Sequence, residues 1–254
     1  MHSPDEIAID LRDIWVKYAS DRKRTGANLF GTSRSRQHAH QRGGPATTDL
    51  WALQGLSVSL RKGTATGLIG RNGAGKSTLL RVIAGILPPH RGSAHVTGRV
   101  TPLLALSGSL AEPLTGWENL RRMAILRQVP TRQREAVIQD AGRFSGLAER
   151  LEDPVRTFSS GMKLRLAFSL ATTSEPEILL LDEIVGTGDK DFQARSSKRI
   201  RDLVSGSATV VVASHSLSFI EEMCPHVLWI EGGIPRMAGE TPNVLSRYRE
   251  SREQ

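Results

Sequence analysis

The run Gly70-Arg71-Asn72-Gly73-Ala74-Gly75-Lys76-Ser77-Thr78 sets glycines, a lysine and a hydroxyl at the spacing of a loop that wraps phosphates. The glycines let the backbone turn its amide hydrogens inward onto an anion. A helix leaving such a loop adds the positive end of its dipole. In this arrangement Lys76 reaches the β- and γ-phosphates, and Ser77 offers its hydroxyl to Mg²⁺. A second set of chemical groups closes the apolar run Ile178-Leu179-Leu180-Leu181, which ends in Asp182-Glu183. Asp182 is expected to hold the Mg²⁺ through water, and Glu183 to orient or deprotonate an attacking water. His215, in Ala213-Ser214-His215-Ser216, ends another apolar run and is expected to contact the γ-phosphate and hold Glu183 and the water in place.

These groups need elements to carry them. Thr64–Ile69 is short, small and apolar, as a buried strand is, and helical spacing (Leu79, Leu80, Val82, Ile83) follows the glycine loop. Ile178–Leu181 and Thr209–Ala213 are apolar without a break and read as strands buried on both faces. Ile7–Val16 alternates loosely and Trp51–Leu60 regularly, so both are expected to be strands. Ala94–Thr97 and Arg99–Leu104 are shorter ones. Gly116–Gln128, Thr131–Phe144, Met162–Ala171, Asp191–Val204 and Pro242–Arg249 read as helices, and Val227–Ile230 with Ile234–Ala238 as a hairpin across Gly232–Gly233. The order of these elements predicts an α/β fold with a mostly parallel sheet, an antiparallel piece and a helical insertion.

The 254 residues suit one large domain, 39% hydrophobic and 24% charged, which excludes a disordered or fibrous chain. No apolar run approaches the ~20 residues of a membrane helix. The acidic start Met1–Asp10 lacks a secretory stretch. With one cysteine, Cys224, no internal disulfide forms, and a reducing, cytosolic setting is expected; this thiol reads as inert filler. The net charge of +8 fits nucleic acid, an anionic membrane or phosphorylated ligands. The excess gathers in 19–48, where Arg22, Lys23, Arg24, Arg34, Arg36 and Arg42 meet no acid between Asp21 and Asp49. That stretch reads as a long loop or partly ordered insertion.

Together the segments resemble the nucleotide-binding domain of ABC transporters. The deciding stretch is Phe158-Ser159-Ser160-Gly161-Met162-Lys163, which looks like the family's signature loop, usually Leu-Ser-Gly-Gly-Gln. Ser159 and Gly161 match it; Ser160 and Met162 depart from it. The departure, followed by Arg165–Phe168, is similar to the branch that exports bacterial polysaccharides such as O-antigen, capsule, teichoic acid and galactan. Leu114-Thr115-Gly116-Trp117-Glu118-Asn119-Leu120, the run Asp182–Asp189 with Phe192-Gln193, and Gly239–Tyr248 resemble segments of the same branch.

The resemblance implies an ABC-type domain over 1–254: a phosphate-loop core (about 1–101 and 173–254), a helical subdomain (about 102–172) and the basic insertion (about 19–48). It implies an ATPase using ATP and Mg²⁺ and working as a homodimer. In that dimer Ser159, Ser160, Gly161 and Met162 would cover the γ-phosphate bound to the opposite copy, and Asp189 would contact the partner. Tyr18 and Trp51 are the alternative candidates for stacking on adenine. A separate transmembrane permease would move a lipid-linked polysaccharide, with the ATPase at the cytoplasmic face of the bacterial inner membrane. The sugar-binding tail of some exporters is not expected in this chain, from its length. Nucleic acid is not expected as a partner: a soluble ABC ATPase acting on nucleic acid or ribosomes is the alternative, but neither the coiled-coil insertion nor the second cassette usual there is seen in the sequence. An ABC ATPase for another cargo is a further alternative. Most relatives place a Gln between phosphate loop and signature; here none occurs from Thr97 to Arg127, and Glu112 is the candidate to complete the metal shell.

Overall fold

The computed structural model describes residues 6–18, 50–104, 110–173, 175–182 and 190–253. The basic stretch 19–48, together with Glu183 and Asp189, lies outside the described residues.

Two sheets form the body. In the first, β2 (Leu50–Arg61), β1 (Ile7–Tyr18) and β4 (Arg91–Val96) pair antiparallel. In the second, β5 (Val100–Leu103), β6 (Ile178–Asp182), β7 (Thr209–Ala213), β3 (Ala65–Ile69) and β8 (His226–Glu231) run parallel in that spatial order, and β9 (Ile234–Glu240) closes the edge antiparallel to β8. The helices are α1 (Lys76–Ile83), α2 (Gly116–Leu126), α3 (Thr131–Ser145), α4 (Ser160–Thr173), α5 (Lys190–Ser205), α6 (Leu217–Met223) and α7 (Thr241–Glu253). No helix among the described residues is long and apolar enough to cross a membrane.

The unbroken apolar runs follow from burial on both faces of the second sheet. Leu179, Leu181, Val210 and Val212 pack in one cluster with Phe168, Phe192, Ile220 and Tyr248. Their neighbours Ile178, Leu180, Val211 and Ala213 pack in another with α1 and the first sheet, through Leu79, Leu80, Ile9 and Leu56. Alternate side chains of a strand face opposite ways, so a strand covered on both sides shows no polar alternation. A third cluster holds α2, α3 and part of α4 together, including Leu120, Ile138, Leu166 and Leu170.

The loose alternation of β1 also has a cause. Asp13 sits at φ 50, in the left-handed region, and the pairing with β2 shifts between Leu11 and Ile14. Asp and Asn are the non-glycine residues that tolerate this conformation best. Its carboxylate accepts from the Trp15 indole at 2.7 Å and faces Arg91 at 2.9 Å. Helix α6 escapes periodicity because it has only seven residues, too few for a pattern to repeat. Its start is legible afterwards: the Ser216 hydroxyl accepts from the Phe219 amide as an N-cap.

The segment Leu114–Leu120 proves to be a helix-start device. The Thr115 hydroxyl accepts from the Glu118 amide at 3.2 Å, and the Glu118 carboxylate accepts from the Thr115 amide at 2.8 Å. This is a capping box, which satisfies two amides that a helix start leaves unpaired. Asn119, fully buried, binds the loop before it. Its amide nitrogen donates to the carbonyls of Ala111, Leu114 and Thr115, and its oxygen accepts from the Ala111 amide at 2.7 Å.

Candidate nucleotide-binding site

Strand order assembles the site. β6, β7 and β3 lie side by side and parallel, so their carboxyl ends emerge at one edge. Asp182 is the last residue of β6 and pairs with Ala213, which leads into Ser214 and His215; Leu68, paired with the same Ala213, leads into Gly70. Ligands of open α/β sheets bind at that edge.

The phosphate loop is held in shape by close backbone approaches. Gly70 has φ 148, and a Cβ there would lie 2.1 Å from the Ile230 carbonyl oxygen. Gly75 caps α1 at φ 106, where a Cβ would meet the Ala52 carbonyl oxygen at 2.5 Å. Both positions therefore require glycine. The turn between β8 and β9 braces the loop from outside: the Gly233 amide donates to the Ala74 carbonyl at 3.0 Å, and the Gln54 amide donates to the Gly233 carbonyl at 2.9 Å. Lys76 is only 4% exposed, and its ammonium donates to the carbonyls of Gly70 at 2.8 Å and Arg71 at 3.2 Å. These contacts fix the charge inside the loop.

A cleft of about 650 Å³ opens on this loop, lined by Asn72, Gly73, Ala74, Gly75, Lys76, Ser77 and Thr78, and by both aromatic candidates, Tyr18 and Trp51. The two rings are equally exposed, at 38%, and differ in how they are held. The Tyr18 hydroxyl lies 3.3 Å from the Thr78 hydroxyl and accepts from Arg81 at 3.4 Å. Trp51 meets Trp15 edge to face at 5.3 Å, with the Lys17 ammonium 5.8 Å from its ring. Leu50, Ala52, Gln54 and Gly232 also line the cleft and were not foreseen. No motif signals Gln54; it reaches the cleft because its amide donates to the Gly232 carbonyl at 2.9 Å. Gly70 and Arg71 line a second cavity on the other flank of the loop, with Asn72 between the two.

Of the acids, Asp182 is described and Glu183 is not. Asp182 Oδ1 is buried without a hydrogen-bond partner among the described residues, a costly state for a carboxylate oxygen. Glu112 does not join this group. Its carboxylate pairs with Lys163 at 2.6 Å, and that contact holds its carboxyl below the usual carboxylate range. Glu112, the candidate to complete a metal shell, lines neither cavity on the phosphate loop; what the structure gives it is the ion pair with Lys163.

Ser159, Ser160, Gly161 and Met162 line neither cavity on the phosphate loop of their own chain. They form the start of α4, with Ser159 and Ser160 exposed and Gly161 and Met162 half-buried. The Ser159 hydroxyl accepts from the Met162 amide at 3.2 Å, and its carbonyl accepts from the Lys163 amide at 2.9 Å. Phe158, buried just before, anchors this turn in the helical cluster.

Comparison with known proteins agrees with this geometry. The family profile described as ABC transporter matches residues 53–186. The chain is 38% identical over 247 residues to an O-antigen export system ATP-binding protein of Myxococcus xanthus, covering 96% of this chain and 56% of that protein. It is 38% identical over 200 residues to a protein of the same description from Klebsiella pneumoniae, covering 79% of this chain and 81% of the other. A teichoic acids export ATP-binding protein of Levilactobacillus brevis is 38% identical over 200 residues, 79% of this chain and 55% of its own length. The chain thus spans little more than half of the Myxococcus and Levilactobacillus proteins. Among solved structures, an ATP-binding subunit of an ABC transporter superposes with a TM-score of 0.73 at 20% identity, over 95% of this chain and 93% of that one. The ATP-binding cassette MJ0796, solved as a dimer in a post-hydrolysis state with ADP and phosphate, gives 0.74 at 16% identity, over 92% and 98%. A phosphate loop at the carboxyl edge of a parallel sheet, the profile match and these relatives agree: the chain belongs to the ABC transporter family and carries its ATP-binding ATPase domain.

Proposed function

We propose that this chain is the ATP-hydrolysing subunit of an exporter that moves a lipid-linked polysaccharide across the cytoplasmic membrane. The observation that carries the cargo is the 38% identity to an O-antigen export ATP-binding protein along 96% of the chain. In this reading two copies face each other. Each ATP lies between the phosphate loop of one copy and Ser159–Met162 of the other. A separate membrane-spanning permease converts the cycle of closing and opening into movement, with the ATPase on the cytoplasmic side. The division into a core of about 1–101 and 173–254 and a helical subdomain of about 102–172 belongs to the same reading, as does a membrane-facing role for the basic stretch 19–48.

The residues present fit a hard cation. Asp182 brings a buried carboxylate oxygen with no hydrogen-bond partner among the described residues, and Ser77 brings a hydroxyl to the cleft that holds Lys76. Mg²⁺ bound there supplies charge neutralisation to the phosphates of ATP. Lys76, fixed in the loop, supplies a second positive charge without reorganising. Glu183, next in sequence after Asp182, orients or deprotonates the water that attacks the γ-phosphate. His215, at the end of the neighbouring strand, holds that geometry. Asp189 joins the contact between copies. Tyr18 or Trp51 stacks on adenine.

Depletion of the chain in its native cell tests the cargo. A lipid-linked glycan is expected to accumulate on the cytoplasmic side while its synthesis continues. Unchanged glycan distribution after depletion refutes polysaccharide export and leaves ATP hydrolysis for another cargo.

A further inference from the structure

Helices α3, α4 and α5 meet in a joint whose residues do not line the nucleotide cleft. Its floor is aromatic. Phe144 of α3 stacks on Phe168 of α4 at 6.0 Å, and the Phe192 ring of α5 meets these two edge to face, at 6.0 and 5.8 Å. Phe168 and Phe192 are buried, and Phe144 packs against the same cluster. Two arginines of α5, one turn apart, close over this floor. The Arg199 guanidinium lies 4.4 Å from the centre of the Phe144 ring, and that of Arg195 lies 5.7 Å from the rings of both Phe144 and Phe192. Such stacking gains strength where water is excluded, and the Arg199 side chain is only 23% exposed.

Polar contacts give the joint its geometry. Arg199 donates to the Asp140 carboxylate at 3.3 Å and to the Thr173 hydroxyl at 3.4 Å, and that hydroxyl lies 3.2 Å from the same carboxylate. Asp140 belongs to α3 and Thr173 is the last residue of α4, so one guanidinium ties three helices. Arg195 donates to the Phe144 carbonyl at 3.1 Å. That carbonyl lies in the last turn of α3, where carbonyls lack partners within the helix and the dipole favours a cation. Gly146 ends the helix at φ 66, and a Cβ there would lie 3.1 Å from Arg195 Nη2, so glycine leaves room for the guanidinium.

What the joint controls follows from where α4 runs. Its 14 residues span about 21 Å. Thr173 stands at one end and the Ser159–Met162 turn at the other. A tilt of about 5° at the joint moves that turn by about 2 Å, and a misplacement of about 1 Å can cost about a hundredfold in rate. We infer that Arg195 and Arg199 are positioning residues for ATP hydrolysis: they fix the angle at which α4 presents Ser159–Met162 to the nucleotide on the opposite copy. The inference rests on the paired reading above.

Two measurements on the full chain test it. In steady-state hydrolysis, Arg199→Gln is expected to lower kcat about tenfold, the loss of one stacked, charge-assisted contact. Affinity for ADP, which reads the phosphate loop of a single copy, should stay unchanged. Arg199→Lys keeps the charge and should recover part of the loss. Arg201→Gln removes a charge from the same helix on its α6 side, where Arg201 pairs with Glu222 at 2.6 Å, and should leave kcat intact. In the second measurement, light scattering with Mg²⁺ and ATP compares Glu183→Gln with Glu183→Gln carrying Arg199→Gln. The added change should weaken the trapped dimer about tenfold. Unchanged kcat in Arg199→Gln overturns the inference, as does a loss of ADP affinity in step with kcat or an equal loss of kcat in Arg201→Gln. A Glu183→Gln dimer that Arg199→Gln leaves equally tight overturns the inference alone. Glu183→Gln that never dimerises removes the paired reading, and the inference with it.

Discussion

Cys224 and Lys76 show how differently burial acts on single side chains. The lone thiol sits among Ile220, Met223 and Val227, and burial pushes its pKa up to about 12. Only the thiolate reacts, so this cysteine is chemically silent near neutral pH. Ellman's reagent at pH 8 should label it only as fast as the protein unfolds, and denaturant should release one thiol per chain at once. Rapid labelling of the folded protein contradicts that burial. The sign for stability follows. The unfolded thiol ionises near 9 and the folded one near 12, so this group costs stability only as pH rises from about 9 towards 12. Lys76 is equally buried, yet two backbone carbonyls accept from its ammonium. The place of Lys76 inside the glycine loop was legible in the spacing of the glycines around it. The choice between Tyr18 and Trp51 was not, because both rings reach the same cleft from strand ends that pair with each other.

Among the elements, the start of α2 has the most specific local design. The capping box at Thr115 and Glu118 begins the helix, and Asn119 fastens four backbone groups of the preceding loop. Asn119→Leu leaves the Ala111 amide without its acceptor and removes one donor each from the Ala111, Leu114 and Thr115 carbonyls, which keep a backbone donor. A loss of about 2 kcal/mol is expected, the scale of one stranded polar group and its weakened neighbours. A thermal melt reads it, and a melting point within error of the wild type rejects this account of the segment. In the sequence this stretch was legible only as a resemblance. Its physical content, an asparagine binding backward to the loop, depends on a loop conformation that no spacing rule encodes. The strands were easier to read. Two-sided burial leaves an unbroken apolar run, and β6 and β7 each carry one.

At the scale of the whole molecule, the start of α4 does not line the cleft of its own chain. The proposed function requires it to act on a second copy. Glu183→Gln should slow hydrolysis and trap an ATP-bound dimer, read by light scattering with Mg²⁺ and ATP. Adding Ser159→Arg places a bulky cation on the exposed turn and should return the trapped protein to monomers while ATP still binds each phosphate loop. Dimers that persist in the double variant reject Ser159 as the group that closes over the opposite nucleotide. A protein that stays monomeric with Glu183→Gln alone, even with its permease supplied, rejects the paired reading itself.

The sequence alone showed the glycine loop between its strand and helix, the strand that carries Asp182, the order of every element but α6, and the family, because each is written in local spacing or in apolar periodicity. Tertiary structure decided what depends on distant segments meeting. It brought the β8–β9 turn and Gln54 against the phosphate loop, engaged Glu112 with Lys163, and set Arg252 beside Arg71 and His215. Arg71 and Arg252 stand 181 positions apart in the chain. Local patterns carry the cost of forming one element at a time, whereas such meetings are fixed only when all the packed faces are buried together.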